Sequence, residues 1–471
     1  MSGRNLKNLA RGFTLIELMV SMSAGLMVSL AVVALSREAS SSFHEETRMA
    51  AAEMQIRTAI DRIRSDLQRA SYMSTGNIWI DPAIASTNPG ATTDVSGIPL
   101  TPPLYNATDL SIGALAGVRL IAGGSATGTA PGSTLNGLSP DALELAGYMS
   151  GVEELAIGGA GTTKAISAKG DPGFTNLCAT GQQINLDVNS SPSIWRLVGL
   201  VAPTDATYSA ANTTGGSFDQ AMNNAFQPTA AAGSSFIVRI TDGTGKTQYA
   251  VTCAAKAAAW NQGLPAVYLD PIITVALAGA GGTNATINPI QIVKWQIQGA
   301  IIPDPMGTTD GGGGANGAKY DLTRQYLDAY GAATTPSSTE VVAEYAVDLQ
   351  FAMTVDTTTD TTGNYSGGGS PLVVYSFEDA ARNGKVASDP TKLTLKSDFG
   401  PQRIRSVRVR LSTRAATPDR SQPLSAGTDY LYRYCVGATT ADCVAGNPMY
   451  ARTRTLISEV SLPNQARLWY Y

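Results

Sequence analysis

The stretch LARGFTLIELMVSMSAGLMVSLAVVALSRE, Leu9 to Glu38, decides how the rest of the chain is read. Residues 13–35 form a nearly continuous apolar run. At ~1.5 Å rise per residue, a helix of that length crosses a hydrocarbon core of ~30 Å. Glu17 breaks the run near its start, and a carboxylate in lipid is costly unless it finds a partner. Upstream, MSGRNLKNLARG carries Arg4, Lys7 and Arg11 and no acid. Such a flank stays on the cytoplasmic side and sends the chain beyond the run outward. A secretory signal keeps its small-residue cleavage site after the apolar run. Here Arg37 and Glu38 follow at once with no A-x-A site. The cleavable junction instead lies ahead of the run, at Gly12–Phe13.

Downstream the chain continues as helix. From Ser36 to Tyr72 there is no Pro and no Gly. Met49, Ala52, Ile56, Ile60, Ile63 and Leu67 recur at spacings of three or four, one apolar face of an amphipathic helix. Arg57, Asp61, Arg64, Asp66 and Arg69 occupy much of the remaining surface. A helix from Phe13 to Tyr72 would be ~90 Å long. Its first part suits a membrane or a filament core, and its second part suits cover by a sheet. Gly25 is present in the apolar half and Pro is absent from it.

Beyond Thr75 the periodicity changes. SFIVRITDGTGKTQYAVTC, Ser235 to Cys253, reads as two strands around a Gly-rich turn. Val293, Trp295 and Ile297 alternate with Lys294, Gln296 and Gln298, which predicts a half-buried strand. Val347 to Val355 and Val407 to Leu411 alternate in the same way, and TRTLISEVSL near the end is strand-like. The predicted fold class is α+β: a long N-terminal helix packed on antiparallel sheet, with a β-rich inserted region. The predicted organisation is a leader at 1–12, the helix at 13–75 with its spanning part at 13–35, a β-rich insert at 76–305, and a C-terminal sheet region at 306–471. IIPDPMGTTDGGGGANG, Ile301 to Gly317, serves as the loop or linker between the last two.

Composition agrees. A chain of 471 residues makes one large domain or two ordinary ones, and 43% hydrophobic residues support a core. With 15% charged residues and a formal net charge of −4, nothing in the charge balance points to binding of nucleic acid by bulk electrostatics. Cys178, Cys253, Cys435 and Cys443 form an even set in an exported chain, which points to two disulfides. Three pairings exist. Cys435–Cys443 is favoured because VGATTAD closes a short loop between them, and it leaves Cys178–Cys253. No Cys-x-x-Cys is present, so no zinc site is expected.

Catalytic patterns are weak. His44 is the sole histidine, and any Ser–His–Asp or Cys–His site would have to use it. GGAGTTK, Gly158 to Lys164, has Thr163 where a phosphate loop needs Gly. GAGGTN, Gly279 to Asn284, lacks the last Gly of a dinucleotide fingerprint. Asp356 and Asp360 miss the spacing of a calcium-binding EF-hand loop. The chain is read as a non-enzyme with no catalytic residue, metal or cofactor.

Arg11-Gly12-Phe13-Thr14-Leu15-Ile16-Glu17 closely resembles the class III signal of type IV prepilins. That resemblance implies cleavage after Gly12 by a membrane-embedded prepilin peptidase, N-methylation of Phe13, and retention of the apolar helix in the mature protein. It also implies a role for Glu17: an incoming subunit's carboxylate meets the N-terminal amine of the subunit already docked, which neutralises both charges and sets the axial register. Later segments, RSDLQRASY (Arg64 to Tyr72), SPDALELAGYM (Ser139 to Met149), VDLQFAMTVD (Val347 to Asp356) and IRSVRVRLSTR (Ile404 to Arg414), resemble PilW-type minor pilins in their order. The expectation is a minor pilin that helps to initiate a type IV pilus at or near its tip, in adhesion or twitching motility. Its implied partners are other minor pilins, the major pilin, prepilin peptidase, the inner-membrane assembly platform and a large tip adhesin. The implied location is a single inner-membrane pass, then the pilus at the cell surface. The alternatives are a minor pseudopilin of a type II secretion system and a pilin-anchored surface adhesin.

Overall fold

The computed structural model describes residues 14–78, 81, 83, 115–121, 123, 139–149, 151, 153–158, 163–167, 180–187, 196, 217–227, 234–241, 243, 245, 247–253, 256–261, 264–269, 285–299, 301–302, 319–329, 331–332, 339–356, 372–377, 400–416, 431–434 and 449–467. The chain divides into two compact units, Met1–Met54 and Gln55–Tyr471.

One helix, α1 (Leu15–Arg69), contributes to both units. Ala, Leu, Met, Glu, Arg and Gln dominate it, and these are strong helix formers. Its last turn tightens, with Ala70 N–H donating to the Leu67 carbonyl at 3.1 Å. Ser71 and Met73 then take φ of 61° and 48°, which stops the helix. Ser71 N–H donates to the Ala146 carbonyl and Tyr148 N–H to the Tyr72 carbonyl, so the chain leaving the helix is tied to a strand at once. Gly147 permits this closeness. A Cβ there would lie 2.4 Å from the Arg69 carbonyl oxygen.

In chain order the first strands are β1 (Val118–Ile121), β2 (Ala142–Gly147), β3 (Leu155–Ala156), β4 (Thr163–Ser167) and β5 (Thr180–Asn185). Helix α2 (Ser217–Phe226) precedes β6 (Ile237–Thr241), β7 (Thr247–Val251), β8 (Ala258–Asn261) and β9 (Leu264–Leu269). Then come β10 (Thr286–Gly299), β11 (Tyr320–Leu327), β12 (Thr339–Glu344), β13 (Ala346–Asp356) and β14 (Leu372–Tyr375). The last elements are β15 (Ile404–Arg414), β16 (Leu431–Tyr434), β17 (Met449–Ser461) and the short helix α3 (Pro463–Arg467).

Among the described residues these strands form three antiparallel sheets. The eight-stranded sheet runs β1-β2-β10-β11-β12, with β3 and β6 also on β10 and β7 on β6. The five-stranded sheet runs β14-β13-β15-β17-β16, and the four-stranded sheet runs β4-β5-β9-β8. The α+β reading therefore holds.

Strand β10 spans two cores. Ile287, Ile290 and Ile292 join Ile237, Val251 and Phe226 in one cluster. Val293, Trp295 and Ile297 join the other, where Ile56, Ile60, Ile63 and Leu67 of α1 meet Leu143 and Leu145 of β2. Leu349 and Phe351 of β13 and Val407 and Val409 of β15 complete that second cluster, so the eight- and five-stranded sheets share one core with the helix. Asp141 ties the two sheets directly. Its Oδ1 accepts from Gly123 N–H at 3.0 Å and its Oδ2 from Phe351 N–H at 3.1 Å.

Two details differ from the sequence reading. Asp66, placed on the polar side of the helix, is buried. Gln296, placed on the open side of a half-covered strand, is buried too, because both faces of β10 are covered there. The predicted linker also has a specific place. It lies between β10 and β11, which pair from Ile292↔Leu327 to Gly299↔Tyr320, so residues on either side of position 305 share one sheet.

Candidate functional site

Helix α1 begins at a capping box. The Thr14 carbonyl accepts the first helical bond, from Leu18 N–H at 3.1 Å. Glu17 N–H donates to Thr14 Oγ1 at 3.3 Å, and Thr14 N–H donates back to Glu17 Oε2 at 3.0 Å. The Thr14 hydroxyl also donates to Oε2, at 3.0 Å. Two amides that open a helix are thus satisfied by side chains three residues apart. The carboxylate sits at the positive end of the helix dipole. All three bonds to the pair are local, and Oε1 takes no part in them. The T-x-x-E spacing is present in the sequence as a cap signal, which the reading of Glu17 as a charge in need of a partner does not use.

Beyond this cap, Leu15–Ser40 is long and apolar enough to cross a membrane. Every side chain from Leu15 to Ser40 is exposed, with Leu15 at 77% and Met27 at 72%. A predominantly apolar surface of this extent is stable only against lipid or other apolar helices. Gly25 adds a flat spot, since nothing lies within 4 Å of a Cβ built there.

Gly12 and Phe13 lie outside the described residues, as do Cys178, Cys435 and Cys443. Cys253 is fully buried and is not a free thiol. Asp356 pairs with Arg405 at 3.1 Å and so has a structural role, while Asp360 lies outside the described residues. His44 sits within α1. Among the described residues no group of three or more His, Cys, Asp or Glu side chains is arranged to hold a metal.

The polar site that sequence reasoning missed is Asp66. Its Oδ2 accepts from Arg324 Nε at 2.7 Å and from Trp295 Nε1 at 3.1 Å, and its Oδ1 accepts from Arg324 at 3.4 Å. Asp66, Trp295 and Arg324 are all buried. Burial works to lower the Arg324 pKa, but the hydrogen bond and charge of Asp66 outweigh it and push it up. The guanidinium also lies 4.7 Å from the centre of the Tyr326 ring. This fork fixes the second part of α1 to β10 and β11. It has no local signature, because its members are 229 and 258 residues from Asp66 in sequence.

A second buried cation, Lys319, donates to the Ile302 carbonyl at 2.8 Å and pairs with Glu344 at 2.7 Å and Asp321 at 3.5 Å. Burial raises the Asp321 carboxyl, against the pull of Lys319 and of the Ile301 and Ile302 amides. These contacts anchor the start and end of the segment that joins β10 to β11. They hold a loop and build no reaction centre.

Residues 7–35 match the family model described as the prokaryotic N-terminal methylation motif. No curated protein and no solved structure matches the chain. The chain therefore carries the cleavage and methylation motif of type IV prepilin-like proteins, on the helix that anchors such proteins in the membrane. The motif implies processing by prepilin peptidase and traffic through a pilus or secretion machinery. Proteins of this kind are typically structural.

Proposed function

We propose that this chain is a PilW-type minor pilin that helps to initiate a type IV pilus at or near its tip. The observation that carries the reading is the motif at residues 7–35 standing on a helix whose apolar surface is wholly exposed through Ser40. Cleavage would follow Gly12, and Phe13 would become the methylated N-terminus. Two features support a role for Glu17 in joining subunits. Among the described residues its Oε2 is engaged within its own helix, by Thr14. Its Oε1 is left to accept the amine of a docked neighbour, as the family resemblance implies. The capping box uses Thr14 and Glu17 alone, so cleavage at Gly12 removes none of its members.

The test is deletion of the gene, with surface pili counted in strains with and without the retraction motor. Loss of pili in both backgrounds is the result expected of a subunit essential to assembly. Loss only where retraction works places the protein in initiation against retraction. Normal pili in both would overturn the proposal in favour of a secretion pseudopilin or a dispensable adhesin.

A further inference from the structure

The chain passes from the eight-stranded sheet into the five-stranded sheet through a single residue. Strand β12 ends at Glu344, β13 starts at Ala346, and the two strands belong to different sheets. Tyr345, between them, takes φ of 57°. The left-handed region is costly for any residue with a Cβ, and a bulky side chain found there is a true outlier. Glycine would make the same corner without that cost. A residue held in such a conformation persists only where its surroundings over-determine it.

Two cations meet the Tyr345 ring. Lys319 Nζ lies 5.3 Å from the ring centre, and the Arg414 guanidinium lies 4.8 Å from it. Each comes from a different sheet. Lys319 immediately precedes β11 of the eight-stranded sheet, and Arg414 ends β15 of the five-stranded sheet. Both cations and Tyr345 are buried. A desolvated cation is drawn to an aromatic ring more strongly than one in water. Each cation is also fixed in place. The carboxylate of Glu344, the residue before the corner, holds Lys319 at 2.7 Å. Arg414 Nη1 donates to the Ala415 and Ala416 carbonyls at 2.9 and 3.3 Å. The Arg414 backbone N–H donates to the Tyr345 carbonyl at 3.0 Å, so the corner is held through its main chain as well as its ring. Just past it, between Ala346 and Asp348, the register of β13 on β15 shifts.

We infer that Tyr345 is a clasp at the joint between the two sheets. Lys319 and Arg414 hold its ring, and the ring holds the corner in the left-handed conformation. Loss of either cation contact lets the joint open while the ladders on both sides stay paired. The joint bears on the helix. Ala343 and Ala346, on either side of the corner, share one core cluster with Ile56, Ile60, Ile63 and Leu67 of α1. Val293 of one sheet and Leu349 of the other belong to the same cluster. A joint that opens therefore loosens the grip of both sheets on the apolar stripe of the helix.

Hydrogen exchange of the full chain in detergent tests the clasp, read by mass spectrometry over residues 339–348 and 412–416, with β10 as the reference. Tyr345→Leu keeps an apolar side chain but offers the cations no ring. It should speed exchange in the two junction segments on the order of tenfold and leave β10 unchanged. Tyr345→Phe keeps the ring and should exchange like the native chain. Arg414→Met puts the same question without touching the corner residue, and it carries the test if Tyr345→Leu fails to fold. It retains the backbone bond to the Tyr345 carbonyl, removes one cation from the ring, and should open the same segments. Faster exchange confined to the junction in Tyr345→Leu and Arg414→Met, with Tyr345→Phe native-like, supports the clasp. Three results overturn it: Tyr345→Leu and Tyr345→Phe exchanging alike, Tyr345→Leu speeding β10 as much as the junction, or Arg414→Met as protected at the junction as the native chain.

Discussion

From Leu15 to Ser40, α1 turns every apolar side chain outward. From Gln55 to Arg69 it hides Ile56, Ile60, Ile63 and Leu67 and exposes Arg57, Asp61, Arg64 and Arg69. The two stretches are made of similar helix formers, so helix propensity does not separate them. What separates them is where their acids find partners. In the first stretch Glu17 is satisfied by Thr14, three residues away. In the second Asp66 is satisfied by Arg324 and Trp295, which only a folded sheet can bring to it. One stretch is complete as a helix but incomplete as a surface. The other is complete only within its domain.

The largest effect should come from Glu17. Glu17→Val removes the capping carboxylate and the charge proposed to meet a neighbour's amine. The mature-sized band on an immunoblot should persist while surface pili are lost, and Gly12→Ser, which should leave only uncut precursor, is the control. Normal pili in the Glu17→Val strain would remove assembly from the role of this residue and leave it as a cap. Capping alone is worth only about 1 kcal/mol.

At Asp66 the outcome should be a loss of stability with no effect on processing. Asp66→Ala leaves the Arg324 guanidinium buried without its counter-ion and the Trp295 N–H without an acceptor. Removing one member of a buried pair costs roughly 3–5 kcal/mol. Denaturant unfolding of the full chain in detergent checks this. The double variant Asp66→Leu with Arg324→Met should recover much of the loss, because no lone charge is left behind. A single variant less than about 1 kcal/mol below the native chain would mean that water replaces the carboxylate at Arg324.

How much of this was legible follows from the same contrast. The apolar run, the stripe at Ile56, Ile60, Ile63 and Leu67, and the alternation at Val293, Trp295 and Ile297 are periodic, and each became the element expected of it. Periodicity reports which face is apolar. It does not report whether the opposite face is covered, so it puts both Asp66 and Gln296 on open surface. The partners of Asp66 lie on strands more than two hundred residues away, a pairing that no local pattern encodes. The Thr14–Glu17 cap was within reach, since its whole signal spans four residues. The same carboxylate carries both signals, a charge in an apolar run and a cap three residues after Thr14.

The smallest effect tests whether burial or pairing governs the acids of the sheet unit, and Asp348 separates the two. Burial raises its carboxyl above the ordinary aspartate value, Arg410 at 3.4 Å opposes the rise, and Asp141 adds to it. Its Oδ1 is buried without a hydrogen-bond partner, which is the geometry of a group short of solvation. The folded chain then keeps a proton at Asp348 at pH values where the unfolded chain has released it. Stability from such a group is fully present below the unfolded pKa and is lost as pH rises through the folded one. Asp81, Glu144 and Asp321 are raised by the same cause and carry the same sign. Glu459 runs the other way, lowered first by the Ser406 hydroxyl and then by Arg408, but its exposure makes its share small. Asparagine imitates the protonated carboxyl. Asp348→Asn should therefore match the native chain near pH ~4 and gain on it as pH rises toward neutral, read as the difference between their thermal midpoints. A variant that loses ground over that interval would mean that the Arg410 pair outweighs desolvation. Asp348 would then belong with Asp66, as an acid whose charge the sheet is built to hold.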